Sequence, residues 1–184
     1  DPITTANSSA LLKSNEIRMI DFGSATFQHK YHSSLITTRH YRAPEVILGL
    51  GWTFAADMWS LGCILFELYT GQTLFQTHDD HQHLAMMQVK LGYFPFHMVN
   101  RANSQCKKYF DKGSVCYPNW DDPLYRTKVQ ETLKWAGLLK YFPSEHMILY
   151  SLISQMLLFD PNIRISPEEA LECYFGPDYN LPPQ

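Results

Sequence analysis

The stretch from Ala56 to Tyr69 constrains the fold of this chain more than any other. It carries Met58, Trp59, Leu61, Cys63, Ile64, Leu65, Phe66 and Leu68, with Asp57 and Glu67 as its only charges. Such a stretch is apolar on nearly every face, and a helix of that kind is expected to be buried all round rather than amphipathic. It needs other elements to cover it. Gly71 is placed to cap its end. The covering elements also read as helices. One spans His81 to Leu91 and breaks at Gly92; another spans Glu145 to Phe159, with Met147, Ile148, Leu152, Met156 and Leu157 at helical spacing. Ser166-Pro167-Glu168-Glu169 has the form of a capping box, with Pro in the first turn of a last helix. The expected class is mainly α, a helical bundle around a buried central helix.

The rest of the chain is less regular. Residues 1–15 are polar and read as a loop or a frayed end. Ile17-Arg18-Met19-Ile20 is a short strand-like run leading into Asp21-Phe22-Gly23. Ser24 to Arg42 shows no helical period, and a loop of that length inside a domain is usually functional. Residues 93–143 hold Pro95, Pro118, Pro123 and Pro143 and read as an irregular insertion, with one helix near Lys128–Leu139. The last residues, 176–184, form a proline-containing tail. There is no internal repeat.

Composition excludes several classes. With 45% hydrophobic and 18% charged residues in 184, the chain is globular, one domain or a large part of one. A net charge of −3 gives no chain-wide basic footprint for nucleic acid; the scattered acids would suit a basic peptide. No run reaches the roughly 18 apolar residues of a membrane span, and the first ten residues lack the pattern of a signal peptide. Cys63, Cys106, Cys116 and Cys173 form no C-x-x-C pair. Reduced thiols are expected, and with them an intracellular setting. The cluster His78-Asp79-Asp80-His81-Gln82-His83 matches no zinc spacing; Asp79 or Asp80 there is expected to cap a helix.

Four motifs carry the chemistry. Asp21-Phe22-Gly23 is followed, twenty residues on, by Ala43-Pro44-Glu45, then by Asp57-Met58-Trp59-Ser60-Leu61-Gly62 and by Asp160-Pro161-Asn162-Ile163-Arg164. DFG, a loop and APE in that order is the activation-segment layout of protein kinases. Thr38-Arg39-His40-Tyr41-Arg42-Ala43-Pro44-Glu45 resembles the T-R-x-Y-R-A-P-E signature of the group holding cyclin-dependent, MAP and CDC-like kinases. His83-Leu84-Ala85-Met86-Met87 is similar to the stretch that names the LAMMER, or CDC-like, kinases. Gln88 and Val89 depart from it, standing where that family has Glu and Arg. The resemblance spans about residues 17–175 and implies a partial kinase domain, the C-terminal lobe from DFG onward, with residues 1–16 a linker or the tail of an insertion.

The resemblance also implies roles. Asp21 would supply a carboxylate to magnesium bound with ATP, since phosphoryl transfer needs metal ions on the phosphates. Phe22 would pack into the lobe, and Gly23 would permit the turn. Thr38 would contact a catalytic Asp, and Arg42 would lie beneath the substrate loop. Ser33, Ser34, Thr37 and Tyr41 are hydroxyls open to activating phosphorylation or simple loop hydroxyls. Glu45 and Arg164 would form a structural ion pair. Asp57 would bond catalytic-loop amides, or serve as a helix cap, or both.

The sequence holds no glycine-rich loop, no strand lysine in its motif and no H-R-D-L-x-x-x-N catalytic loop. No catalytic residue is therefore assigned within it. The expectation is a fragment of a serine/threonine or dual-specificity kinase, inactive alone, whose parent uses ATP and Mg2+ on protein substrates. By resemblance these include arginine-serine-rich splicing factors in the nucleus. The alternative is a non-catalytic interaction module. Neither nucleic acid nor membrane is an expected partner, and apolar surface is expected where the missing N-terminal lobe and catalytic loop would pack.

Overall fold

The computed structural model describes residues 16–116 and 137–176. The chain divides into two units, Asp1–Tyr31 and His32–Gln184.

In the first unit Ile17–Ile20 is exposed and forms no strand, contrary to the sequence expectation. A strand needs a neighbour for its N–H and C=O groups, and none pairs with it among the described residues. A single 3-10 turn, Phe22–Ser24, follows, closed by the Ala25 N–H donating to the Phe22 carbonyl at 3.0 Å.

The second unit is helical. A short helix α1 (Pro44–Leu48) begins with Pro at its first turn and ends on Gly49, whose φ of 69° closes it. The long helix α2 (Ala55–Thr70) is the axis of the unit. It buries Met58, Trp59, Gly62, Cys63 and Phe66. Its burial is one-sided, which corrects the expectation of an all-round buried helix. Leu61, Ile64 and Leu68 are exposed, Leu68 by 77%, and they fall at helical spacing on one face. Nothing among the described residues covers that face.

Helix α3 (Asp80–Leu91) is capped by Asp79, whose carboxylate accepts the Gln82 N–H at 2.7 Å. Helices α4 (Phe96–Arg101) and α5 (Ser104–Lys107) follow, then a hairpin of β1 (Phe110–Asp111) and β2 (Ser114–Val115). Lys112 and Gly113 both have positive φ, as a tight two-residue hairpin turn requires. The described part of residues 93–143 is thus ordered into defined elements, a second correction. Prolines there start elements rather than break them: Pro95 precedes α4, and Pro143 precedes a 3-10 turn, Ser144–His146. The helix expected near Lys128–Leu139 lies mainly outside the described residues, and Leu138–Tyr141 is a 3-10 turn.

Helix α6 (Met147–Met156) packs along α2 and stops short of Phe159. Gly62 allows the approach, since a Cβ there would lie 3.0 Å from the Met156 Cβ. Helix α7 (Pro167–Phe175) starts with the full capping box: the Ser166 hydroxyl accepts the Glu169 N–H, and the Glu169 carboxylate accepts the Ser166 N–H. The core centres on Trp59, Phe66, Phe75, Leu84, Met87 and Ile153. No described helix is long and apolar enough to cross a membrane.

Candidate functional site

Asp21 sits in the left-handed region (φ 64°, ψ 65°), a conformation that Asp tolerates better than most residues. It is exposed, and no described group bonds its carboxylate. A free, hard oxygen donor suits magnesium, which takes one or two protein carboxylates and completes its shell with phosphate and water. The chemistry of the residue fits one ligand position. No cluster of three or more acidic, His or Cys side chains able to enclose a metal occurs among the described residues, the 78–83 stretch included. Phe22 is 65% exposed, and the turn that carries it, Phe22–Ser24, holds no buried residue.

The second unit builds residues 32–45 into a held loop. His32 stacks on Trp52 with ring centroids 4.3 Å apart. The Trp52 Nε1–H donates to the Ser33 carbonyl at 2.8 Å, and His32 Nδ1 lies 3.2 Å from the Trp52 carbonyl. These contacts pin the start of the loop to the α1–α2 connection. Arg42, 6% exposed, holds the other end: its Nε donates to the Ile36 carbonyl and its Nη2 to the Thr37 carbonyl, each at 3.1 Å. Between them Thr37 adopts φ 61°. A β-branched residue there is strained by about 1–3 kcal/mol and persists only where its surroundings over-determine it. The two Arg42 contacts are that determination. Burial, and secondarily Arg39, lower the Arg42 pKa, while Asp80 offsets part of the effect.

Thr38 is exposed beside this clamp. A 3-10 turn at Arg39–Tyr41 carries the next side chains inward. Arg39 pairs with Asp80 of α3, and Arg42 lies 3.7 Å from the same carboxylate. The Tyr41 hydroxyl donates to Glu67 at 2.7 Å, and its carbonyl accepts the Ser60 hydroxyl at 2.9 Å. The Glu67 bond, followed by burial, raises the Tyr41 pKa. Asp57, at the start of α2, is exposed as a residue, yet burial around its carboxyl raises its pKa. No described group bonds that carboxyl, and it makes no side-chain cap.

Glu45 and Arg164 meet at the base of the loop. The Asp160 carboxylate accepts the Asn162 N–H at 2.9 Å, a local turn that aims Arg164 inward. Arg164 Nη1 and Nη2 then donate to the two Glu45 oxygens at 2.7 and 2.8 Å. Nη1 also reaches the Ala55 carbonyl, Nη2 the Phe159 carbonyl and Nε the Leu158 carbonyl. All five guanidinium donors are therefore occupied.

Sequence reasoning missed Glu67 and read Asp80 only as one of two candidate helix caps, since an acid on a helix carries no signal of what it will face across the fold. It also passed over the polar tie at Gln88. That amide accepts the Val115 N–H at 2.8 Å and donates to the Ser114 hydroxyl at 2.9 Å, joining α3 to the hairpin. His83 was read for its motif alone. It is wholly buried, neither ring nitrogen has a hydrogen-bond partner among the described residues, and burial followed by the charges of Arg42 and Arg39 lowers its pKa to about 3.

The protein kinase domain family matches residues 7–175. Dual specificity protein kinase lkh1 of Schizosaccharomyces pombe is 46% identical over 166 residues, covering 89% of this chain and 24% of the relative. Dual specificity protein kinase CLK2 of Homo sapiens is 47% identical over 168 residues, covering 89% of this chain and 32% of the relative. The crystal structure of a kinase domain superposes with a TM-score of 0.80 at 41% identity, over 89% of this chain and 48% of that one. The chain thus spans a quarter to a third of these two curated relatives.

Proposed function

Because the chain belongs to the protein kinase family and within it to the LAMMER type, we propose that it is the metal-binding and substrate-binding part of a dual-specificity kinase. The parent transfers the γ-phosphate of ATP to hydroxyls of proteins. The observation that supports this reading is the strained loop at Thr37, clamped by buried Arg42 and braced through Glu45 and Arg164. Such a rigid platform positions a peptide, and in phosphoryl transfer positioning and electrostatics supply almost all of the catalysis.

Within this reading Asp21 holds magnesium, which when bound neutralises charge on the phosphates. Thr38 orients the base that takes the hydroxyl proton, and Asp57 accepts amides of the catalytic loop with a carboxyl that no described group bonds. The hydroxyls divide by their surroundings. A phosphate on Tyr41 would crowd the carboxylate of Glu67, now 2.7 Å from the phenol, and would break the clamp. Ser33 is tied back to Leu35, whereas Ser34 is exposed and is our choice for a regulatory phosphate. We extend the proposal to arginine-serine-rich splicing factors as nuclear substrates, on the strength of the LAMMER resemblance.

The test compares autophosphorylation from labelled ATP and magnesium in two proteins. The 184-residue chain is expected to incorporate no label. A longer protein that adds a glycine-rich loop, strand lysine and catalytic loop is expected to incorporate it and to lose it with Asp21→Ala. Label on the 184-residue chain that disappears in its own Asp21→Ala variant would overturn the proposed division of labour.

A further inference from the structure

The stretch 101–112 runs against the charge of the whole. It carries Arg101, Lys107, Lys108 and Lys112 against the single acid Asp111, in a chain of net charge −3. All four cations are exposed, and none pairs with a carboxylate among the described residues. Arg101 ends α4, Lys107 ends α5 with Lys108 as its C-cap, and Lys112 is in the hairpin turn.

The mount beneath them is rigid. Gln88 ties β2 to α3 through two hydrogen bonds. Phe110 of β1 meets buried Phe94 edge-on, with ring centroids 5.5 Å apart. Apolar surface adjoins the charge: Phe96 is 70% exposed, and its ring edge comes within 3.9 Å of where a Cβ on Gly113 would stand. Tyr93 is 78% exposed just before it in the chain. Phe96 thus stands in water beside the turn that carries Lys112, with Lys107 and Lys108 just ahead of β1, so positive charge and one apolar ring lie within one short braced stretch.

We propose that this face docks an acidic peptide segment of a partner protein, with one apolar side chain of that segment set against Phe96. Charge complementarity selects the occupant. A short acidic segment meets the local cations within a Debye length of about 8–10 Å and is screened from the acids elsewhere. A long polyanion would run on past the patch across a surface whose total charge is negative, so nucleic acid is the less suited ligand. None of its cations belongs to the loop at 32–45, and the proposed partner is distinct from the phosphorylated substrate.

The experiment measures fluorescence anisotropy of a fluorescein-labelled poly-glutamate peptide with one central Phe, titrated with the 184-residue chain at low and moderate salt. Binding is expected, weaker as salt is raised. The triple charge reversal K107E/K108E/K112E is expected to weaken it about tenfold or more, since reversal replaces attraction by repulsion. Phe96→Ser is expected to weaken it about threefold, the loss of part of one apolar contact. All these positions are exposed, so the melting temperature should match that of the parent chain. Arg101→Glu, on a different element, is expected to weaken binding as well. The proposal is overturned by no salt-sensitive binding, by reversal variants that bind as tightly as the parent, or by a single-stranded RNA of equal length that binds more tightly than the peptide.

Discussion

Glu45→Ala is expected to destabilise the chain by about 3–5 kcal/mol, because it leaves the guanidinium of Arg164 charged and buried without its counterion. Glu45 and Arg164 are 1% and 5% exposed, so water cannot replace the lost partner. For a domain of this size that loss lowers the melting temperature by about 6–20 °C. Urea unfolding of the parent chain and the variant checks it. The geometry explains why the cost is high: two of five donors are stranded while the other three remain fixed to backbone carbonyls, so the side chain cannot swing out to water. The Arg39–Asp80 pair is the control. Its side chains are 33% and 41% exposed, and a pair of that kind is worth about 0–1 kcal/mol.

A second comparison separates the pair's net worth from the cost of breaking it. Glu45→Met with Arg164→Met together should recover most of the stability lost by either alone, since no charge is left unpaired. A single Glu45→Ala costing less than about 1 kcal/mol would show that Arg164 finds another anion, and the bracing role would fall. If the double variant is as unstable as the singles, the carbonyl contacts of Arg164 are the larger contribution.

The ion pair was expected from the kinase resemblance alone, and the two motifs that carry it prove to be local structures that present each partner. Pro44 starts α1 and presents Glu45; the Asp160–Asn162 turn presents Arg164. The helices and the capping box at Ser166 were legible in the sequence itself, as each is decided within a few residues. Ile17–Ile20 was not, because alternation and β-branching only describe a strand in waiting, and the partner strand has to exist. The one-sided burial of α2 was hidden for a related reason: an apolar stripe shows what a helix could bury, and Leu61, Ile64 and Leu68 have nothing in the described chain to bury against. The strain at Thr37 had no sequence signal at all. It arises from carbonyls drawn to an arginine five residues away, and no pattern of side chains announces the direction of a carbonyl.

Lys90→Met is expected to stabilise the chain at neutral pH, by a margin that shrinks as pH rises from 8 to 10. Lys90 is 9% exposed, no carboxylate pairs with it among the described residues, and its ammonium stands 5.6 Å from the centre of the Tyr141 ring. Burial pushes its pKa down from 10.5 to about 8. A base whose pKa is lower folded than unfolded binds fewer protons in the fold, so stability rises with pH between those two values. Below about pH 8 the ammonium is charged in both states and the full burial cost, about 3 kcal/mol, is present; above about 10.5 it is gone. Cys63 and Cys106 oppose this in the same range, because burial holds both thiols above their usual pKa and stability then falls as pH passes about 9. Lys90 is therefore isolated by the difference between variant and parent within the window of pH 8 to 10. Above it Tyr41, Tyr69, Tyr109 and Tyr141, all with raised pKa values, pull stability the other way. Methionine keeps the length and the contact with Tyr141 and removes the charge. The variant should gain about 1–3 kcal/mol at pH 7, less than the full figure because the attraction between ammonium and ring is lost with it. Urea titrations of parent and variant at pH 7, 8, 9 and 10 give that difference directly. A difference between variant and parent that stays level across that window, or a methionine variant no more stable at pH 7, would mean that the ammonium reaches water, and the buried charge between α3 and the Leu138–Tyr141 turn would then cost the fold nothing.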